Sequence, residues 1–330
     1  MEEKAGRRRS SAGAGRVIPE RDGGMRTESI SGISASREVK PPMSLAAMNT
    51  ELECLPCFFG QVTRTLNHAG VNGDRGRDIA RKAEAIIEAA SLDEVPARTT
   101  TLIHRLLRAE TGVDPYRSVK ETYNRIALGK LPALRSMAAE RTDCLEGAVR
   151  AAIAGNVIDF GIYEKIDLDR SIDESFRLPL SDTGYRAFAQ AVQNARRILY
   201  LCDNAGEIVF DRVLLEVLRD RGKTVTAAVK GSPVINDATQ EDARAAGLHE
   251  CADVIDNGND GIGTLLEACS VRFMDEYRSA DLIISKGQAN YETLVQEKDE
   301  RVFFLFKVKC PVVASFLGKA DGDIVIASGG

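Results

Sequence analysis

The 330-residue chain reads as an α/β protein, a mostly parallel sheet with helices on both faces, preceded by an all-helical N-terminal domain. Two observations carry that reading. From about residue 50 to 195, apolar residues recur at helical spacing with no β-branched alternation. Beyond 195, short continuous apolar runs alternate with helical segments. Strands that are apolar on both sides belong to parallel sheets, whose crossover helices cover each face. A third observation concerns chemistry. Each predicted strand end carries an oxygen ligand, a glycine turn or a lysine, and ligands of such sheets sit outside the carboxyl ends of the strands.

Three regions follow: a disordered tail over 1–42, a helical domain over 43–195 and an α/β catalytic domain over 196–330. The tail is polar and rich in Gly, Ser and Arg, as in Arg7-Arg8-Arg9-Ser10-Ser11, and has no periodicity. It lacks the apolar centre of a secretory signal. Ordered-looking sequence begins just after Met43 and Met48, so we expect translation to start at one of them, which an intact mass would decide. In the helical domain, Asp78–Ala90 is amphipathic and Asp93-Glu94-Val95-Pro96 breaks it. Thr99–Leu107 follows, then a segment after Asp114-Pro115 with Val119, Tyr123, Ile126 and Ala127 on one face. Two more helices fill 131–139 and 143–154. The predicted strands are 197–202, 224–230, 253–256, 281–285 and 302–307, with a short last one at 324–326. Helices are predicted over 207–220, 238–246, 262–278 and 289–295.

Composition removes several classes of function. With 44 Lys+Arg against 49 Asp+Glu the net charge is −5, so no basic field awaits nucleic acid. No apolar run approaches the roughly 20 residues of a membrane span. Seven cysteines, an odd number with four in apolar or strand-like contexts, suit a reduced cytoplasmic protein. Oligomeric state stays open. His68, His104 and His249 are scattered and receive no role.

Asp203-Asn204-Ala205-Gly206-Glu207 is the most informative stretch. It ends the apolar run Ile198–Cys202 and opens a helix, whose first N–H groups favour an anion, while Asp and Asn are hard donors for Mg²⁺ or Mn²⁺. A plain strand–loop–helix joint with a capping residue uses the same residues. Further along, Asp237 follows a short turn and suits a cap of the next helix. Asp256-Asn257-Gly258 and Gly261-Ile262-Gly263 end the third strand. Lys286-Gly287-Gln288-Ala289-Asn290 ends the fourth, and the fifth carries Lys307. Carboxylates for a cation and lysines for phosphate oxygens are the parts of a metal-assisted phosphoryl site. No Walker A motif is present, and Gly258–Gly263 lacks dinucleotide spacing.

These pieces resemble one family. Cys54-Leu55-Pro56-Cys57, Asp114-Pro115-Tyr116, Asn156-Val157-Ile158-Asp159, Asp203–Asp211, Pro233–Thr239, Asp256-Asn257-Gly258 and Lys286–Glu292 stand in the order found in damage-control phosphatases. The match is to the prokaryotic branch with a CxxC near its N-terminus, and it spans about residues 50–325. The resemblance implies a three-layer, Rossmann-like α/β/α catalytic domain and a divalent cation (Mn²⁺, Ni²⁺, Co²⁺ or Mg²⁺) held by Asp203, Asn204 and Asp237. It implies that Glu207, Lys286, Gly287, Gln288, Asn290 and Lys307 contact the substrate, with Asn156 and Asp159 reaching the cleft from the helical side. The substrates implied are small phosphorylated metabolites, often damaged or side products.

The expected reaction is hydrolysis of a phosphomonoester by metal-activated water. Direct attack by Asp203 is the alternative; however, the nucleophilic arrangement of haloacid-dehalogenase-like enzymes puts a second Asp where this chain has Ala205. Two other functions use the same cleft: a non-catalytic phosphosugar or nucleotide-binding protein, and an adenosylmethionine-dependent methyltransferase, which would want a GxGxG-like turn. Cys54 and Cys57 are either packed thiols or a redox-sensitive or accessory metal pair, and thiol alkylation separates these readings.

Overall fold

The computed structural model describes residues 48–156 and 168–330. The expectations for the tail over 1–42 and for Asp159 lie outside these residues.

Three helices come first: α1 (Cys54–His68), α2 (Gly73–Glu88) and α3 (Pro96–Thr111). Phe58, Val62 and Leu66 recur every four residues on α1 and pack against Ile79, Ala83 and Ile87 of α2 and Ile103 and Leu107 of α3. Proline begins α3, where its missing N–H costs no bond, and Gly112 ends it in the left-handed region at φ 73°. Next come α4 (Arg117–Ala139) and α5 (Cys144–Gly155), the latter opened by Asp143, whose carboxylate accepts from Leu145 N at 2.9 Å. Apart from the ends of its first turn, α5 is buried all round. A Cβ on Gly147 would stand 2.3 Å from the carbonyl oxygen of Ala138, so glycine is what lets α5 run this close to α4. Two helices, α6 (Leu168–Arg177) and α7 (Asp182–Asn194), lead to the sheet.

The sheet contains β1 (Arg197–Leu201), β2 (Thr224–Val229), β3 (Asp253–Asp256), β4 (Leu282–Lys286), β5 (Val302–Lys307) and β6 (Ile324–Ser328) in the order β3-β2-β1-β4-β5-β6. All pairings are parallel except β5 with β6. Side chains alternate between two cores. Ile198 and Tyr200 of β1 join α5 and α8 (Glu207–Asp220) on one face. Leu199 and Leu201 join α10 (Val271–Ser279), α11 (Gln288–Leu294) and α12 (Pro311–Leu317) on the other. The fold is therefore the three-layer α/β architecture that the continuous apolar strands imply. Short α9 (Gln240–Ala246) follows β2.

Two sequence expectations are corrected here. Residues 262–270 are not helical: Gly263 adopts φ +67°, and a Cβ there would meet the carbonyl oxygen of Ala289 at 2.3 Å. A short 3-10 turn at Leu266–Ala268 precedes α10, which is capped by Ser270. Asp237 does not cap α9 either. Thr239 is the cap, and its N–H donates to the Asp242 carboxylate at 2.9 Å in a reciprocal capping box.

The chain winds from β1 outward to β2 and β3, then returns to the other side of β1 for β4. The order reverses between β1 and β4, and the crevice at their carboxyl ends is the topological switch point where ligands of open α/β sheets bind.

Candidate active site

At that crevice β1 runs into Asp203 and Asn204, and β4 into Gly287 and Gln288. Gly287 adopts φ +80°, and a Cβ on it would fall 2.0 Å from Asp203 Oδ2. The carboxylate is thus seated directly on the glycine backbone, in a cradle that any side chain would fill. The turn after β2 supplies the opposing wall. An isolated antiparallel bridge pairs Asn204 with Asp237; Ala205 N donates to Asn236 O at 2.9 Å and Ala238 N to Asp203 O at 2.8 Å. This two-bond clamp brings residues 33 positions apart to one wall, and Asp203, Asn204 and Asp237 line one cavity of about 340 Å³. Asn204 Nδ2 donates to Asp203 Oδ2 at 2.8 Å and to Glu207 Oε2 at 3.3 Å. With its nitrogen engaged by carboxylates, the amide has its Oδ1 left for a ligand. Two carboxylates and an amide oxygen on one wall suit a hard divalent cation. Among the described residues no three His, Cys, Asp or Glu side chains form a metal-holding group, so a cation here depends on the Asn204 oxygen.

Ile235, next in this wall, has φ +41°, rare for a β-branched residue. Such a conformation costs on the order of 1–3 kcal/mol and persists only where neighbours over-determine it. Here the clamp to Asp203–Ala205 and the Asp237 N to Val234 O bond of 3.0 Å supply that constraint.

Behind the wall lies a fully buried charge cluster. Lys286 Nζ spends its three donors on Glu207 Oε1 (2.8 Å), Asp211 Oδ1 (2.5 Å) and Ala152 O (2.9 Å). Tyr200 donates to Asp211 Oδ1 at 2.7 Å, whereas Asp211 Oδ2 has no partner among the described residues. Burial pushes Asp211 up to about 6, with Lys286 opposing the shift and Glu207 adding to it. Burial pulls Lys286 down, but Asp211 and Glu207 outweigh it and hold the ammonium above the ordinary lysine range. Glu207 also accepts from Asn156 Nδ2 at 3.2 and 3.3 Å.

Glu207 and Lys286 therefore stand one layer behind the cavity rather than in its lining. There Glu207 accepts from the Asn204 amide, and Lys286 holds Glu207 in turn. Asn290 is also internal: it donates to Cys202 O and Lys286 O and accepts from Thr264 at 2.7 Å, fastening β4 to β1. Asn156 lines the cavity and accepts from Lys307 N at 3.0 Å. Gln288 lines it too, its Nε2 donating to Glu292 Oε1 at 2.9 Å and its Oε1 accepting from Lys309 N at 3.2 Å. The Lys307 side chain runs toward Gly322, and Lys309 is the lysine in the lining.

Several lining or supporting residues escaped the sequence reading. Lys230, buried at the end of β2, sits 3.4 Å from Asp237 Oδ2 and donates to Gly263 O. Asn236 has a buried Nδ2 without a partner among the described residues. Burial raises the Glu292 carboxyl to about 7, against the lowering effect of the Gln288 bond. The signals were present: Lys230 is a strand-end lysine like Lys286, and Lys309 is two residues beyond Lys307.

The cover of the cavity comes from α1 and α3. Cys54 and Cys57 lie in the first turn of α1, with Phe58, Gln61 and Arg64 further along the same face, and Cys310 lies across from them. Burial raises the Cys54 and Cys310 thiols, so neither is poised as a thiolate. A roomier hollow of about 560 Å³ lies elsewhere, against α4 and α9. Its buried cation, Lys120, is already met by Asp114 at 3.0 Å and Asp242 at 3.4 Å, which makes the strand-end cavity the better candidate.

Comparison with known proteins identifies the family and the fold. The damage-control phosphatase ARMT1-like domain matches residues 50–325. Uncharacterized protein MJ0202 of Methanocaldococcus jannaschii is 40% identical over 284 residues, spanning 83% of this chain and 93% of that protein. Damage-control phosphatase PH1575 of Pyrococcus horikoshii is 35% identical over 282 residues, 84% of this chain and 97% of its own. A damage-control phosphatase of Archaeoglobus fulgidus is 34% identical over 287 residues, with 82% and 96% covered. The crystal structure of the Pyrococcus horikoshii protein, described as a DUF89 family protein, matches with a TM-score of 0.78 at 34% identity, covering 86% of this chain and all of that one.

Proposed function

The chain belongs to the damage-control phosphatase ARMT1-like family, and from that premise we propose that it hydrolyses phosphomonoesters of small metabolites with the help of a divalent cation. The observation that carries this reading is the convergence of Asp203, Asn204 and Asp237 on one cavity at the switch point of the sheet. In this reading those three side chains hold the cation, with Mn²⁺, Ni²⁺, Co²⁺ and Mg²⁺ as the ions to test. When bound, such an ion polarises a phosphoryl group and lowers the pKa of water.

The chain's own groups do the rest. In this reading Lys309, a cation of the lining, receives phosphoryl oxygens. Gln288 holds the Lys309 backbone, and Gly287 and Glu207 set the Asp203 and Asn204 side chains before substrate arrives. The undersides of α1 and α3 keep bulk water from the reacting phosphate, which strengthens each polar contact there.

Phosphate release from p-nitrophenyl phosphate with each of the four ions, beside melting temperatures with and without ion, tests the reading. We expect ion-dependent release, and an ion-induced rise in melting temperature that Asp203→Ala and Asp237→Ala both lose while remaining folded. Undiminished turnover in either variant with excess Mn²⁺, or no release with any of the ions, overturns it.

A further inference from the structure

The cavity cover contains a cation that the phosphatase reading leaves unused. Cys54, Cys57, Phe58, Gln61 and Arg64 follow one another along the face of α1 turned to the cavity, over a rise of roughly 15 Å. The thiol end faces the Gln288–Glu292 and Lys309–Cys310 side, where the phosphate is proposed to sit. Arg64 lines the same cavity further along the helix, near enough to His104 to act on its charge. A helical side chain leans toward the N-terminus of its own helix, and the absence of a side chain at Gly60 leaves room for this lean: a Cβ there would be 3.0 Å from Arg64 Nη1.

Arg64 is half-buried, and among the described residues it forms no ion pair or hydrogen bond. Its neighbours are already engaged. Arg108 pairs with Asp260 and donates to Pro233 O. His104 Nε2 bonds Gln61 Oε1 at 2.9 Å, and burial, together with Arg108 and Arg64, lowers the imidazole to about 3, so it is uncharged at neutral pH. The carboxylates of the lining, Glu53, Asp203, Asp237 and Glu292, all lie beyond ion-pair distance of Arg64. Among the described residues the wall thus presents a guanidinium without a counter-charge, whose planar fork fits a carboxylate or phosphate.

We propose that Arg64 is a second anion subsite, and that the substrate is a phosphate ester bearing a further acidic group on the portion released. The proposal rests on the phosphatase reading for the placement of the first phosphate. A matched pair tests it: 3-phosphoglycerate carries a carboxylate where glycerol 1-phosphate carries a hydroxymethyl group. A second pair, fructose 1,6-bisphosphate and fructose 1-phosphate, asks whether the second anion is a phosphate instead.

Affinities are measured by calorimetry in EDTA, and kcat/KM is measured with Mn²⁺. Within the preferred pair, the wild-type protein is expected to favour the di-acid about ten- to hundredfold. Arg64→Gln removes most of that preference through the di-acid, and Arg64→Lys, which keeps the charge without the fork, restores part of it. Far-UV circular dichroism of both variants controls for folding. Equal handling of both members of each pair by the wild-type protein, or a preference that survives Arg64→Gln, overturns the proposal. Loss of metal-dependent phosphate release with the calorimetric preference intact would instead fell the phosphatase reading and leave the subsite standing.

Discussion

Lys286 has no exposed side-chain surface, yet it holds together two carboxylates that otherwise repel each other. Removing one member of a buried ion network leaves uncompensated charge, a loss of about 3–5 kcal/mol. Lys286→Met should therefore lower the unfolding free energy measured in urea by that order, and it should weaken turnover through Asn204, whose amide is steered by Glu207. Glu292 gives a pH signature. Its folded value of about 7 exceeds the ordinary 4.5, so the folded state binds more protons between those values. Its contribution to stability thus falls as pH climbs through that window. Glu292→Gln stays neutral throughout, so its melting temperature should gain on the wild type from pH 4.5 to pH 8. A constant difference across that range would rule this out. At this scale the sequence was legible where neighbours in the chain are neighbours in the site: Asp203, Asn204 and Gly206 form one turn. Depth was not legible. A lysine near a strand end looks alike whether it lines the cavity, as Lys309 does, or faces inward, as Lys286 does.

Among the elements, the apolar runs identified the strands, most clearly β1, β4 and β5, and apolar residues at helical spacing identified α8. The region after β3 defeated the same reasoning. Leu265, Leu266, Phe273 and Tyr277 keep an approximate helical rhythm, but Gly263 must pass under the Ala289 carbonyl in a left-handed conformation, and the chain becomes helical only at Val271. The cap of α9 misled similarly: Asp237 and Thr239 are both good caps, and only the Asp242 partner three residues on favours Thr239. The junction of β4 and α11 yields a direct test. Alanine at Gly287 must adopt φ +80° and ψ 157°, a region that glycine alone visits readily, at a cost on the order of 1–3 kcal/mol, and also push the Asp203 carboxylate aside. Gly287→Ala should therefore cost activity more than stability, with kcat falling at least about tenfold while the melting temperature drops by only a few degrees. Retained kcat would show that the Asp203 position is not critical.

For the molecule as a whole, the cavity is shared between chain segments far apart in sequence: a cover from α1 and α3, a floor from β1 and β4, and one wall from the turn after β2. Such an arrangement was legible only as an order of motifs. That α1 overlies the strand ends depends on packing among helices whose apolar stripes allow several partners, and no spacing in the sequence chooses between them.

The positive φ of Ile235 has a further consequence. A turn kept in a disfavoured shape by its surroundings is the first part to relax when those surroundings loosen on warming. Relaxation there unfastens Asp237 from Asn204 while the sheet is still intact, so the protein should go silent before it melts. Phosphate release followed on a temperature ramp is expected to fall several degrees below the loss of far-UV ellipticity, and coincident curves would mean that this turn is as durable as the core beneath it.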